Sequence, residues 1–142
     1  SLGKILSLLK RLHQGHRVII VSGSAGERDP FKRPLQGAVT AELADVSIVT
    51  SEDPRNEDPD KIIREIADGA RSKGAIDGVT LFEITDRRQA IRKAFSLAEP
   101  GDCVVRRRRE RARGVRRMRE TSIGHAHVPC HGTAAVRDAT YR

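Results

Sequence analysis

The 142-residue chain is predicted to be an α/β protein built on a doubly wound, mostly parallel sheet. Three observations carry that prediction. Short uninterrupted apolar runs rich in Val and Ile alternate with longer segments whose apolar residues recur at helical spacing, and Pro, Gly or charged clusters punctuate the junctions. Strands separated by helices of ten or more residues are joined by right-handed crossovers, so neighbouring strands run parallel.

Each element has its own signal. Leu2, Ile5, Leu6, Leu8, Leu9 and Leu12 recur at helical spacing and stop before Gly15, which predicts a first helix. Residues 17–22, Arg-Val-Ile-Ile-Val-Ser, then form a buried strand that ends at Gly23. A second helix is predicted over 34–44, with Pro34 in its first turn, where a missing N–H leaves no helical hydrogen bond unmade. Residues 46–50 are a second strand, and 60–73 a helix with Ile62, Ile63 and Ile66 on one face. Residues 79–84 read as a third strand. Asp86 caps a helix whose inner face is Ala90, Ile91, Ala94, Phe95 and Leu97; Pro100-Gly101 turns the chain, and 102–105 begin a fourth strand.

Charge divides the chain in two. The net charge is +8, yet residues 1–105 carry as many Lys and Arg as Asp and Glu. The whole excess falls on 106–142, with eleven Arg, no Lys, and only Glu110, Glu120 and Asp138 opposing them. Residues 1–105 are long enough for one domain with its own core, whereas 106–142 are too polar to bury much surface and are expected to be a disordered basic tail. Two cysteines, Cys103 and Cys130, do not make a disulfide framework and point to a reducing compartment. No run of eighteen apolar residues and no signal-peptide pattern occurs, so membrane and secretory roles are not indicated, and a cytoplasmic, monomeric protein is expected.

Two loops carry the chemistry. Residues 26–35, Gly-Glu-Arg-Asp-Pro-Phe-Lys-Arg-Pro-Leu, follow the first strand, and 52–59, Glu-Asp-Pro-Arg-Asn-Glu-Asp-Pro, follow the second. Both leave the carboxyl ends of strands, the edge where open α/β sheets form their ligand crevices. Arg28 and Arg55 present forks that grip a carboxylate or phosphate, each charge-assisted bond contributing about 1.5–3 kcal/mol when desolvated. On the residues alone a second reading stands beside this one. Arg28 with Asp29, and Arg55 with Glu57 or Asp58, make loop ion pairs worth about 0–1 kcal/mol, and Lys32 and Arg33 mark either a phosphate-attracting helix entrance or a solvated one.

The order and wording of these loops resemble the C-terminal domain of the Mur ligases, within them the ligase that adds the third stem-peptide residue. That family reads close to Gly-Gly-x-Arg-Asp-x-x-Lys-Arg-Pro-x-Met-Gly after its first strand, most of which 26–37 reproduce, with Gln36 in place of the usual methionine. It reads Asp-Asn-Pro-Arg-x-Glu-Asp-Pro after its second, where this chain has Glu52 to Pro59. Residues 86–91 and 98–102 resemble its Asp-Arg-x-x-Ala-Ile helix and Pro-Gly-Asp turn, so the resemblance covers about 1–105 and implies a Rossmann-like sheet.

The resemblance implies that Arg28 and Arg55 hold the carboxylate of an incoming diamino acid, and that Glu52, Asp53, Pro54 and Arg55 read that amino acid. Lys32 and Arg33 are candidate phosphate contacts. Many members that use meso-diaminopimelate have Asn at the position of Asp53, so meso-diaminopimelate, lysine and ornithine all stay open. In the complete enzyme the resemblance implies ATP-dependent activation of the D-glutamate carboxylate of UDP-N-acetylmuramoyl-L-alanyl-D-glutamate, with magnesium, in peptidoglycan biosynthesis for cell division and cell shape. The uridine-nucleotide domain and the Gly-x-x-Gly-Lys-Thr/Ser loop of such an enzyme do not occur here. The chain is therefore expected to be a fragment, cut at the family's hinge just before Ser1-Leu2, that binds no ATP or magnesium tightly, holds no metal and contributes no catalytic group of its own.

The tail departs from the family, which continues Ala-Gly-Lys-Gly-His-Glu where this chain has Arg106 to Gly114. Codons for Arg108 to Gly114 read from their second base can spell that motif, and those for Pro129 to Thr133 read from the third can give Pro-Trp-Asp, which makes a frameshifted tail the expectation. The rival is a basic nucleic-acid-binding module whose arginines contact phosphates with strong salt dependence. His125, His127, Cys130 and His131 have metal-ligand spacing, but without a second cluster accidental composition is preferred over a structural zinc.

Overall fold

The computed structural model describes residues 1–107 and the backbone of 135–139. Four helices and five strands follow in the order α1 (Leu2–Leu12), β1 (Val18–Ser22), α2 (Lys32–Leu43), β2 (Val46–Val49), α3 (Pro59–Arg71), β3 (Leu81–Glu83), α4 (Arg87–Leu97), β4 (Cys103–Arg107) and β5 (Ala135–Ala139). All pairings are parallel, in the strand order β3-β2-β1-β4-β5. The order reverses between β1 and β4, the switch point of a doubly wound sheet.

The unbroken apolar strands are explained by burial on both faces. Val18 and Ile20 pack with Cys103 and Val105 against Leu2, Leu6 and Leu9 of α1. Ile19 and Val21 pack with Val46, Ile48 and Val104 on the other face against Ala90 and Ala94 of α4. A third cluster joins Val49 and Leu81 to Ile62, Ile63, Ile66, Ala67 and Ala70 of α3. Burying one such Leu or Ile stabilises by about 1.5–3 kcal/mol, so these clusters hold the sheet that positions the loops. Helices α2 and α3 touch backbone to backbone: a Cβ on Gly37 would lie 1.8 Å from the Ile66 carbonyl, and one on Gly69 would lie 1.9 Å from that of Pro34.

Several boundaries differ from the sequence expectation, most by one or two residues. Helix α2 starts two residues before Pro34, whose ring fits anywhere in the first turn. Helix α3 takes in Pro59, capped by Asp58, whose side chain accepts from the Asp60 amide at 3.0 Å. Strand β3 begins at Leu81, because residues 76–80 form a turn closed by Thr80 N–H donating to Ile76 O at 2.9 Å. Asp102 precedes β4, its side chain taken by the Arg17 amide at 2.9 Å and the Arg17 guanidinium.

The expectation of a wholly disordered tail is corrected at one place. Backbone 135–139 extends the sheet, from Cys103 opposite Ala135 to Arg107 opposite Ala139. Without it β4 would be an edge with unpaired N–H and C=O groups, and this stretch has neither Pro nor Gly to prevent pairing. Residues 108–134 and 140–142 lie outside the described residues, and with them the His125, His127, Cys130 and His131 spacing, most of the arginine run and the codon-phase reading. No described helix is long and apolar enough to cross a membrane.

Candidate functional site

At the carboxyl edge of the sheet, the loops after β1 and β2 are joined by their backbones. Ala25 and Asp53 form an isolated parallel bridge, and Gly26 N–H donates to Asp53 O at 2.7 Å. Gly26 is required there, since a Cβ would lie 1.9 Å from the Pro54 carbonyl oxygen. That same oxygen accepts Glu57 N–H at 2.9 Å, closing the turn that carries Arg55 and Asn56.

Below this seam sits a buried tie. Arg33 is 2% exposed, and its guanidinium donates to Glu57 at 2.9 Å and Glu65 at 2.7 Å. Glu57 also accepts the backbone N–H of Glu27. The Arg33 hydrogen bond, helped by the Glu27 amide, holds the Glu57 carboxyl down at about 2. The Glu57 hydrogen bond in turn raises Arg33, against the opposing effect of burial. Arg33, expected among phosphate contacts, is instead enclosed between two carboxylates, because α2 starts early enough to turn its side chain onto α3. Its neighbour Lys32 is exposed at the mouth of the edge.

Above the seam the exposed residues face one another across the loops. Glu27 and Arg55 both adopt left-handed backbone, φ 56° and 51°, which is uncommon outside glycine. Arg55 Nη1 lies 3.5 Å from Glu27 Oε2, its Nε 4.0 Å from Asp53 Oδ2, and Asn56 Nδ2 donates to Glu27 Oε1 at 2.7 Å. Arg28 is exposed beside Glu27, Glu52 is buried at the end of β2, and Pro54 forms the seam. The two motifs thus meet on one edge. The ion pairs of Arg55 differ from those the sequence suggested: it pairs with Glu27 and Asp53, while Asp58 caps α3.

The end of β4 reaches the same edge. Gln36 donates to Gly23 O at 3.1 Å and accepts from Arg107 Nη1 at 3.1 Å, and Arg87 donates to the Arg107 carbonyl. Sequence reasoning registered Gln36 only as a departure and passed over Glu27, Asn56 and the tie through Glu57. Glu27 filled a variable motif position, so only its left-handed backbone and its partners across the seam reveal it. Among the described residues no group of three or more His, Cys, Asp or Glu is placed to hold a metal. What the edge offers is recognition: guanidinium and carboxylate groups in alternation, suited to a zwitterion.

The Mur ligase, glutamate ligase domain family matches residues 1–106. The UDP-N-acetylmuramyl-tripeptide synthetase of Roseiflexus sp. is 51% identical over 102 residues, covering 72% of this chain and 20% of that protein. The UDP-N-acetylmuramoyl-L-alanyl-D-glutamate–2,6-diaminopimelate ligase of Chlorobium phaeobacteroides is 45% identical over 106 residues, 74% of this chain and 20% of its own length. A solved structure of a UDP-N-acetylmuramoyl-L-alanyl-D-glutamate–2,6-diaminopimelate ligase superposes with a TM-score of 0.62 at 38% identity, covering 74% of this chain and 20% of that one. The chain spans about a fifth of the length of the curated relatives it matches.

Proposed function

From the premise that the chain belongs to the Mur ligase, glutamate ligase domain family, as the C-terminal domain found in peptidoglycan tripeptide-synthesising ligases, we propose that residues 1–107 present a diamino acid to an activated UDP-N-acetylmuramoyl-dipeptide. The observation that supports this most is the backbone seam between Gly26 and Asp53, which puts Arg28 and Arg55 on one edge although 27 positions separate them. In this reading Arg28 and Arg55 receive carboxylate, Asp53 and Glu52 supply negative charge for an ammonium, and Pro54 shapes the turn. Holding the amine at a fixed place lowers the entropic part of the barrier to acyl transfer.

The described residues do not fit ATP or magnesium. They contain no glycine-rich phosphate cradle ending in Lys, and Arg33, the candidate phosphate contact deepest in the fold, already gives both terminal nitrogens to carboxylates. Those groups are assigned in this proposal to parts of the relatives that the chain does not cover, and the chain alone is expected neither to hydrolyse ATP nor to ligate. The test is a complete ligase carrying these loops: Arg55→Ala should raise KM for the diamino acid roughly ten- to hundredfold while KM for ATP stays unchanged. Equal increases in both constants would overturn the assignment.

A further inference from the structure

The two edges of the sheet differ in what they hold. The loops of the candidate site leave its carboxyl edge; at the amino edge, before β1 and β2, the last turns of α1, the loop 13–16 and the end of α2 line an open groove of about 720 Å³. We infer that this groove is a second binding site, for a small phosphate ester, formed by Lys10, Arg11, His13 and His16. The length of β1, roughly 16 Å, separates it from the loops after β1 and β2, so it stands independently of the function proposed above.

Charge and geometry carry this assignment. Residues 1–105 are balanced overall, yet among the described residues the groove is lined by one Lys, one Arg and two His against the single carboxylate of Asp45. That carboxylate is already committed: its Oδ2 accepts the Val18 amide at 2.7 Å, and its Oδ1 is 3.9 Å from Lys10 Nζ, a loose pair in which the lysine is 50% exposed. Arg11 has no hydrogen-bond or ion-pair partner among the described residues. Basic residues in a last helical turn also answer the partial negative charge of its carbonyl end, which accounts for Lys10 and Arg11 on the surface of α1. It accounts neither for the groove nor for His16, which lies beyond the cap at His13. The fold places both rings. Gly15, φ 80°, turns the chain between them, and His16 lies on the turn at Gly101, where an added Cβ would be 2.3 Å from its Cε1. His13 Nε2 is buried with no hydrogen-bond partner among the described residues, so Nδ1 is the nitrogen left to donate to a ligand.

The donor set selects phosphate. A metal is disfavoured, since among the described residues no three His, Cys, Asp or Glu are grouped to hold one. A carboxylate would bring one charge and two oxygens to four basic side chains, whereas a phosphate monoester brings nearly two charges and three terminal oxygens. The groove also exceeds what a phosphate alone requires. Its volume falls in the range of sites for small organic molecules, roughly 300–1,000 Å³, and Leu43 with the aliphatic stem of Lys10 offers an apolar wall for the rest of the ligand.

The test titrates the full 142-residue chain, uniformly labelled with 15N, with glycerol 3-phosphate and separately with acetate at constant ionic strength, following the backbone amides of residues 10–16 and Asp45. The arginines of 106–142 also attract phosphate, so the readout is kept to the groove and repeated on its variants. Glycerol 3-phosphate should shift these amides along a saturating curve, and acetate should not. K10A and R11A, both on exposed side chains whose loss leaves the core intact, should each weaken binding roughly two- to fivefold, and the double variant roughly tenfold. K4A, on α1 but outside the groove, should leave binding unchanged. Shifts that fail to saturate, amides of 10–16 that do not move, equal binding of acetate, or a K10A/R11A variant that binds as tightly as the native chain would each overturn the inference.

Discussion

Two arginines in this molecule are each gripped by several carboxylates, and burial sets them apart. Arg33 is 2% exposed between Glu57 and Glu65, under the seam of the candidate site. Arg71, at the end of α3, is 33% exposed and bonded to Asp68 and Asp77 at 2.8 Å and to Glu83. Both keep their charge firmly, Arg33 chiefly through Glu57 and Arg71 chiefly through Asp77. Counting partners would rank Arg71 first. Yet water can replace each partner of Arg71, while nothing can replace the carboxylates of Arg33 without opening the loops, so the smaller cluster holds the site together.

The largest effect is expected at Arg33. Arg33→Met leaves two carboxylates without their shared cation at the α2–α3 contact; since Glu57 and Glu65 are 27% and 28% exposed and recover some water, the cost is about 2–4 kcal/mol, below the range for a fully buried pair. In a domain of this size that is a fall of roughly 10–25 °C in Tm by calorimetry. A fall under a few degrees would show that the tie is dispensable.

Gly26→Ala attacks the same cluster without touching a charge. A methyl 1.9 Å from the Pro54 carbonyl must push the loops apart, at a cost of about 1–3 kcal/mol, and should return the Glu57 carboxyl toward its ordinary 4.5 by separating it from the Glu27 amide. Carbonyl-carbon NMR of Glu57 in native and variant chains measures that recovery.

Acid sharpens the contrast. Glu57 is held at about 2 in the folded chain against an ordinary 4.5, so its stabilisation is complete above pH 4.5 and is lost as pH falls through about 2. Stability measured across that window should fall with pH in the native chain and fall less steeply in Glu57→Gln. Asp77 is also lowered, chiefly by Arg71, so Asp77→Asn should lessen the slope too. The two differ in salt, which screens the exposed cluster and leaves the buried one.

The smallest effect belongs to Arg71→Met. Its partners are exposed by up to 71%, and the loss should stay below about 1 kcal/mol and shrink further in molar salt. A loss equal to that of Arg33→Met would mean that burial does not decide between them.

The fold was legible because its signals are local. The run Val18–Ser22 is apolar at nearly every position, as a strand covered on both sides must be, and Asp86 caps α4 by accepting the Gln89 amide at 2.9 Å, as its position before a helical pattern implies. Boundaries slipped where a local signal was ambiguous: Val79 is β-branched yet lies in the turn after Gly78, 61% exposed. The fifth strand was missed because a parallel edge partner needs only backbone, and its residues sit in a segment whose average composition is polar.

By itself the sequence determined the alternation of strands and helices, the two loops at strand ends, and the arginines, carboxylates and prolines they carry; these follow from period, caps and breakers, which act over a few residues. Tertiary structure alone decided which charges meet. Arg33 turned inward to Glu57 and Glu65, Arg55 took Glu27 instead of Glu57 or Asp58, and Gln36 linked Gly23 to Arg107. The physical reason is that an ion pair depends on positions distant in sequence, fixed here by the closeness of α2 to α3 at Gly37 and Gly69 and of the two loops at Gly26, whereas a helix or strand depends mainly on its neighbours along the chain.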